Sequence, residues 1–450
     1  MAEAKTRPAG FGAFIVVWIG QLVSVLATNM TQFALTIWVY ERTQSVTALA
    51  LQGVFFMTPF LLISPVAGAM VDRYNRKLMM MVSDLGAGVA TIALLALQAA
   101  GGLEVWHLYA AAAVTGVFQA FQWPAYSASI SLMVPKAQYG RANGLMSLLE
   151  MGPGVLSPLL AGALLPLIGL TGIMLIDVAT FVLAVGALLF VFVPQPPRTE
   201  AGAKGRGNLL KEGLYGFRYI FARPSLLGLQ LVFFFGNFAA LFAATARAPL
   251  VLARTGSDEV IFGAVQSIGA LGGILGGVAM SAWGGFRRRV HGVLLGWVVS
   301  SVAGTVLFGF GTELVVWSIA SFAGAFLVPI VNGSNQAIWQ AKVAPDVQGR
   351  VFAARRLIAW LTTPIVPVIA GPLADLVLEP AMSTPTSALA QTFGGLVGTG
   401  PGAGMALMII LGGLGGLLVG VAGYLFPAVR DAEGLLPDHD AAPVAEGVGA

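Results

Sequence analysis

The sequence contains no cysteine, which excludes disulfides, thiol nucleophiles and thiolate metal centres. Charge is also scarce. Only 10% of the 450 residues are Asp, Glu, Lys or Arg, whereas 57% are hydrophobic. Soluble domains carry roughly a quarter charged residues, so 24 basic and 20 acidic side chains cannot clothe an apolar core of this size in water. The three histidines, His107, His291 and His439, stand far apart in sequence, so no metal is expected. No phosphate-cradling glycine loop is present, which argues against direct drive by ATP. Nothing resembles a nucleophile, base and orienting group in sequence proximity, so an enzyme is not expected, nor any cofactor. The ~10-residue alternating segments of a membrane β-barrel are missing too.

What remains is an all-α integral membrane protein. Apolar runs of about 20 residues or more recur along the chain, each long enough to cross a ~30 Å hydrocarbon layer. The pattern predicts twelve spans: 12–40, 47–71, 78–100, 106–133, 143–165, 172–193, 226–250, 260–283, 291–310, 315–341, 354–378 and 404–426. The 58 glycines suit close helix packing in lipid. If the N-terminus is cytoplasmic, 21 of the 24 Lys and Arg residues fall at or near the cytoplasmic side, and only Arg42, Arg247 and Arg254 fall toward the other. Such a bias sets both termini inside. It also explains the formal net charge of +4 without nucleic acid as a partner. The expected location is the cell's inner (plasma) membrane, with a monomer in the lipid bilayer.

A polar, basic, Pro/Gly-rich linker over 194–225 separates an N-terminal six-helix bundle, 1–193, from a C-terminal one, 226–426, and an acidic, mobile tail covers 427–450. The halves repeat. A shift of 209 positions carries Gly140-Arg141 onto Gly349-Arg350, Pro158 onto Pro367, Gly162 onto Gly371 and Gly68 onto Gly277. Two parallel six-span repeats predict a transporter that rocks about a central site.

Between spans two and three lie Gly68, Asp72, Arg73, Arg76 and Lys77, in the order G-x-x-x-D-R-x-x-R-K. This loop resembles the signature cytoplasmic loop of the major facilitator superfamily, and with the twelve spans the resemblance covers nearly the whole chain. It implies two pseudo-symmetric bundles, alternating access, and a latch between the halves in the outward-open state. Physically, Asp72 suits the positive end of a neighbouring helix, and the basic residues suit acidic partners or lipid headgroups. Trp38-Val39-Tyr40 with Thr43 and Ser45, Gly140-Arg141-Ala142-Asn143 and Gly349-Arg350-Val351-Phe352 resemble the exporter branch that holds macrolide-efflux and enterobactin-export proteins. Gly152-Pro153-Gly154, Pro158 and Gly162 in span five resemble the Gly-Pro motif of drug/proton antiporters. There is one departure: span four lacks the arginine that many proton antiporters carry there.

A charge at the bilayer centre costs at least ~2.5–3.5 kcal/mol on insertion scales, so each needs a reason. Asp84, two turns beyond Arg76 and Lys77, reads as an ion pair with the basic loop. Glu150 and Asp177 have no obvious local partner. They are expected either to take up and release protons or to hydrogen-bond across helices. Asp375 reads as a solvated end residue. Arg247 could pair with Asp177, meet an anionic ligand, or snorkel outward. Polar stripes at helical spacing point to a cavity: Gln21, Ser24, Thr28, Thr31 and Gln32 in span one; Gln119, Gln122, Tyr126 and Ser129 in span four. Asn237 in span seven and Asn332, Asn335, Gln336 and Trp339 in span ten add polar groups, with Phe33, Phe118, Phe233, Phe234 and Trp360 as aromatic lining. The expected substrate is an amphipathic small molecule such as a drug, antibiotic or siderophore-like compound, exported against inward proton movement. The alternatives are an importer or uncoupled facilitator, or, in another class, a non-transporting sensor or scaffold.

Overall fold

The structure is a computed structural model, and it describes residues 11–73, 75–133, 139–191, 216–343 and 345–438. Every described element is helical. Among the described residues ten helices are long and apolar enough to cross a membrane. One of these, within Tyr139–Phe190, holds two spans and breaks at Gly169, where φ is 65° and a side chain would be strained. With the 29-residue helix Val105–Met133 as span four, the predicted order of twelve stands.

Short signals end the helices. Asn75 caps Arg76–Ala99 by accepting from the Leu78 amide at 3.2 Å, and Asp258 caps Glu259–Trp283 by accepting from Ile261 at 2.8 Å. Gly256 and Gly284 close helices in the left-handed conformation. Span nine widens into a π-helical turn at Ser300–Val306, and span eleven does so at Ala374–Leu378. The loop after span eleven carries a further short helix, Ala388–Val397, capped by Ser387. The part of the tail from 427 to 438 is more ordered than its composition implied. Turns at Pro427–Arg430 and Ala432–Leu435 fold back on the bundle. Arg288 meets Asp431 at 2.9 Å there, and Lys342 meets Asp438 at 2.7 Å. Asp431 is half-buried, and the hydrogen bonds it accepts from Arg430 and Arg288 hold its carboxyl below the usual range.

The two ends of the molecule differ. At the end away from the chain termini, one apolar core runs through both halves, from Phe33, Ile37 and Val46 to Leu250, Phe262 and Ala370. Among the described residues at the opposite end, which carries Phe11 and Asp438, each half has its own core, one around Phe14, Met80 and Leu188 and the other around Leu229, Val293 and Trp339. The halves are therefore welded at one face. Small residues make the weld close. A Cβ on Gly162 would lie 2.6 Å from the Glu259 carbonyl oxygen, and one on Gly371 would lie 2.8 Å from the Thr47 Cα. Ser267 Oγ donates to the Val155 carbonyl at 2.7 Å, and Phe33 stacks on Phe262 at 4.9 Å. Phe33, expected in the cavity, belongs to this weld.

Leucine at Gly162 would force spans five and eight apart. Overpacking of this kind costs about 1–3 kcal/mol, and here the cost falls on the welded arrangement. Spin labels at Trp106, at the start of span four, and at Glu313, just before span ten, should report a longer mean distance in Gly162→Leu than in the parent protein. An unchanged distance distribution would show that the weld does not depend on this contact.

Candidate functional site

Two cavities lie behind the weld, one in each half. The first, of about 510 Å³, is lined by spans one, two, three, four and six. Thr28, Gln32, Gln119 and Gln122, from the polar stripes, line it together with Ser24, Gln52, Thr91 and Thr115. The second, of about 520 Å³, is lined from spans seven, nine, ten, eleven and twelve, with Asn237, Asn332 and Trp360 on its wall. A neighbouring recess of about 380 Å³ adds Gln230, Phe233, Asn335, Gln336, Arg355 and Arg356. Of Gly68, Asp72, Arg73, Arg76, Tyr126 and Glu150 only the helical backbone is among the described residues, so the expected loop latch and the Glu150 coupling role lie outside them.

The N-terminal cavity holds two carboxylates. Asp84 accepts from Gln21 Nε2 at 2.9 Å and from Gln122 Nε2 at 2.8 Å. Gln122 Nε2 also reaches Gln21 Oε1 at 3.1 Å. The expected ion pair with the basic loop is corrected for Lys77: Asp84 faces the cavity, because the face of span three that carries Asp84, Gly88 and Thr91 turns inward. Lys77 instead donates to the carbonyls of Leu189 and Val191 at 3.1 and 2.7 Å, tying the start of span three to the end of span six. Asp177 is 2% exposed and accepts from Thr28 Oγ1 at 2.8 Å and Thr91 Oγ1 at 3.4 Å. Neither carboxylate has a cationic partner among the described residues. Both are held by neutral amides and hydroxyls, which can bond either protonation state.

The C-terminal cavity holds cations. Arg247 neither pairs with Asp177 nor snorkels outward. Its Nη2 donates to Thr305 Oγ1 at 3.1 Å, its Cζ lies 5.1 Å from the centre of the Phe308 ring, and its buried Nε has no partner. Thr305 sits in the π turn of span nine, which carries the hydroxyls of Ser300, Ser301 and Thr305 onto the cavity wall. Arg355, counted by sequence as an orienting charge, also lines the recess. It donates to Gln336 Oε1 at 2.6 Å, and its Cζ lies 5.3 Å from the Trp339 and Phe352 ring centres. Asn335 is occupied by Trp339 Nε1 at 3.0 Å. Trp360 lies 6.1 Å from Phe60, across the two halves.

The expectation that Asp375 is a solvated end residue is corrected: it sits in the π turn of span eleven and caps the start of span two. It accepts from Ser45 Oγ at 2.6 Å and from the amides of Val46 and Thr47 at 2.8 Å each. A carboxylate on the positive end of a helix is worth typically 0.3–1 kcal/mol, and up to about 2 when partly buried. This one joins the halves. The signal for it was Thr43-Gln44-Ser45 at the end of span one, a helix-capping sequence with no evident purpose.

The family model described as Major Facilitator Superfamily matches residues 17–367. Macrolide efflux protein A of Streptococcus pyogenes is 26% identical over 382 residues, which cover 80% of this chain and 89% of that protein. Multidrug efflux pump Tap of Mycolicibacterium fortuitum is 25% identical over 338 residues, covering 70% of this chain and 78% of that one. Among solved structures, a bacterial homolog of the human lysosomal transporter Spinster superposes with a TM-score of 0.67 at 17% identity, covering 94% of this chain and 98% of that one. A bacterial homologue of the iron transporter ferroportin superposes with a TM-score of 0.63 at 15% identity, covering 91% and 98%.

Removing the Asp375 carboxylate should loosen the weld. With no native cysteine to interfere, a single cysteine at Gln52 reports access to the N-terminal cavity. An impermeant maleimide applied from the welded face should label it several-fold faster in Asp375→Ala than in the parent, with Asp375→Asn between them. Equal rates would exclude a gating role for this cap.

Proposed function

The chain belongs to the major facilitator superfamily, and from that premise we propose that it is a proton-driven exporter of amphipathic organic molecules. It is a membrane transporter and not an enzyme. The halves 1–193 and 226–426 act as the two rocking bodies, as a monomer in the inner membrane. The bias of basic residues makes the terminal face cytoplasmic. On that orientation the weld closes the outer side, and the cavities are set to load from the cytoplasm. Relatives named for macrolide and multidrug efflux favour export and a drug or antibiotic as cargo. The aromatic and aliphatic lining, with Phe56, Phe181, Trp297 and Trp360, suits recognition by area.

The observation that carries proton coupling is the pair Asp84 and Asp177. Two carboxyls face one cavity inside the membrane, each bonded only to neutral donors. A charge so placed is expensive, and a proton removes the expense. Alternation of the cavity between two compartments would then carry that proton inward. One charge crossing ~100 mV releases ~2.3 kcal/mol, enough for a roughly 50-fold substrate gradient.

Everted membrane vesicles with an imposed interior-acid gradient test this. Erythromycin and ethidium serve as cargo, and release of protons from the interior is the readout. Substrate-dependent proton release is expected from the parent protein. The double variant Asp84→Asn with Asp177→Asn should lose gradient-driven uptake at least tenfold while still binding the cargo. Undiminished coupled transport by that variant would defeat the assignment.

A further inference from the structure

The repeat builds a similar cavity twice and furnishes it with opposite signs. Spans one, three, four and six surround Asp84 and Asp177; spans seven, nine, ten and twelve surround Arg247. No carboxylate lines the C-terminal cavity among the described residues. Its unsatisfied polar atoms are donors: Arg247 Nε and Trp297 Nε1 on its wall, and Arg355 Nη1 in the adjoining recess. A guanidinium offers five N–H donors, and one hydrogen bond, to Thr305, is made here. Buried polar groups are almost always bonded, so unpaired donors need a partner to explain them. In the N-terminal cavity the unpaired atom is an acceptor, Gln122 Oε1. A cation kept in hydrocarbon with no counter-charge is costly and is retained where a ligand supplies the missing charge.

We infer that the C-terminal cavity is an anion site, in which Arg247, supported by Trp297 and Thr305, receives a carboxylate, sulfonate or phosphate of an organic amphiphile. This rests on the transport reading and extends its cargo to amphiphiles with an acidic group. The N-terminal cavity is left for their cationic or hydrogen-bond-donating part. The width of the π turn serves this arrangement, since it brings the Thr305 hydroxyl to the guanidinium. Lysine would not replace this arginine fully, because a point charge lacks the planar fork that grips an oxyanion through two bonds.

The test is equilibrium binding to the purified full-length protein, with no gradient applied. The probes are dansylglycine and its methyl ester, which share a fluorophore and differ in charge. The parent should bind the acid at least about tenfold more tightly than the ester. Arg247→Gln should erase that preference while leaving ester affinity unchanged, and Arg247→Lys should restore part of it. An acid preference absent from the parent, or intact in Arg247→Gln, overturns the site. The unliganded melting temperature separates a structural role. Removal of an unpaired cation should leave it unchanged or raise it, and a fall of several degrees would overturn the proposal. The two readings fail separately. An Arg247-dependent acid preference without proton-coupled transport defeats the exporter and leaves the site, and the converse defeats the site alone.

Discussion

The arrangement depends on how closely two pairs of helices approach across the halves. Spans five and eight meet backbone to backbone, with Gly162 against the Glu259 carbonyl and Gly263 against that of Pro158. Spans two and eleven meet through Gly371 and Thr47. In lipid no hydrophobic force drives apolar helices together. Association comes from dispersion at short range and from hydrogen bonds, so the absence of side chains at these points is what makes the weld strong. Asp375 adds direction to it, because a carboxylate over the first amides of span two has one favourable placement. At the other face the described residues form two separate cores, one in each half.

Polarity inside such a protein is bounded by cost. The N-terminal cavity meets the cost with neutral donors: two glutamine amides on Asp84 and two threonine hydroxyls on Asp177. The C-terminal cavity meets it less completely, with one hydroxyl and an aromatic face on Arg247. This asymmetry between repeats that share an architecture is where function departs from fold. A common backbone sets where the cavities lie, and a few side chains set which charges line them.

Much of the site could be read from spacing. The stripe of Gln21, Ser24, Thr28 and Gln32 recurs every three or four residues, and a polar face on a membrane helix must turn away from lipid. These residues do line the cavity. Span three was harder. Asp84, Gly88 and Thr91 share a face, but nearby Arg76 and Lys77 offered a simpler partner for Asp84. Helix rotation decided against Lys77, which turns toward the carbonyls that end span six. Phe33 adjoins the stripe, yet it packs into the weld, where an aromatic pair fills the gap between spans one and eight. Arg355 looked like its neighbour Arg356 in sequence. Only the bend of span eleven near Leu361 and the rings beside it distinguish the half-buried cation from the exposed one.

Hydropathy by itself determined the membrane class, the number and order of the spans and the polar faces within them, because a chain in hydrocarbon must satisfy its backbone internally and hide its polar side chains. Which polar groups meet was left to tertiary structure. The capture of span two by Asp375, the amide cage on Asp84 and the isolation of Arg247 join residues 329, 63 and 58 positions from their partners. Such contacts follow from how helices rotate and approach in three dimensions, and local periodicity carries no record of that.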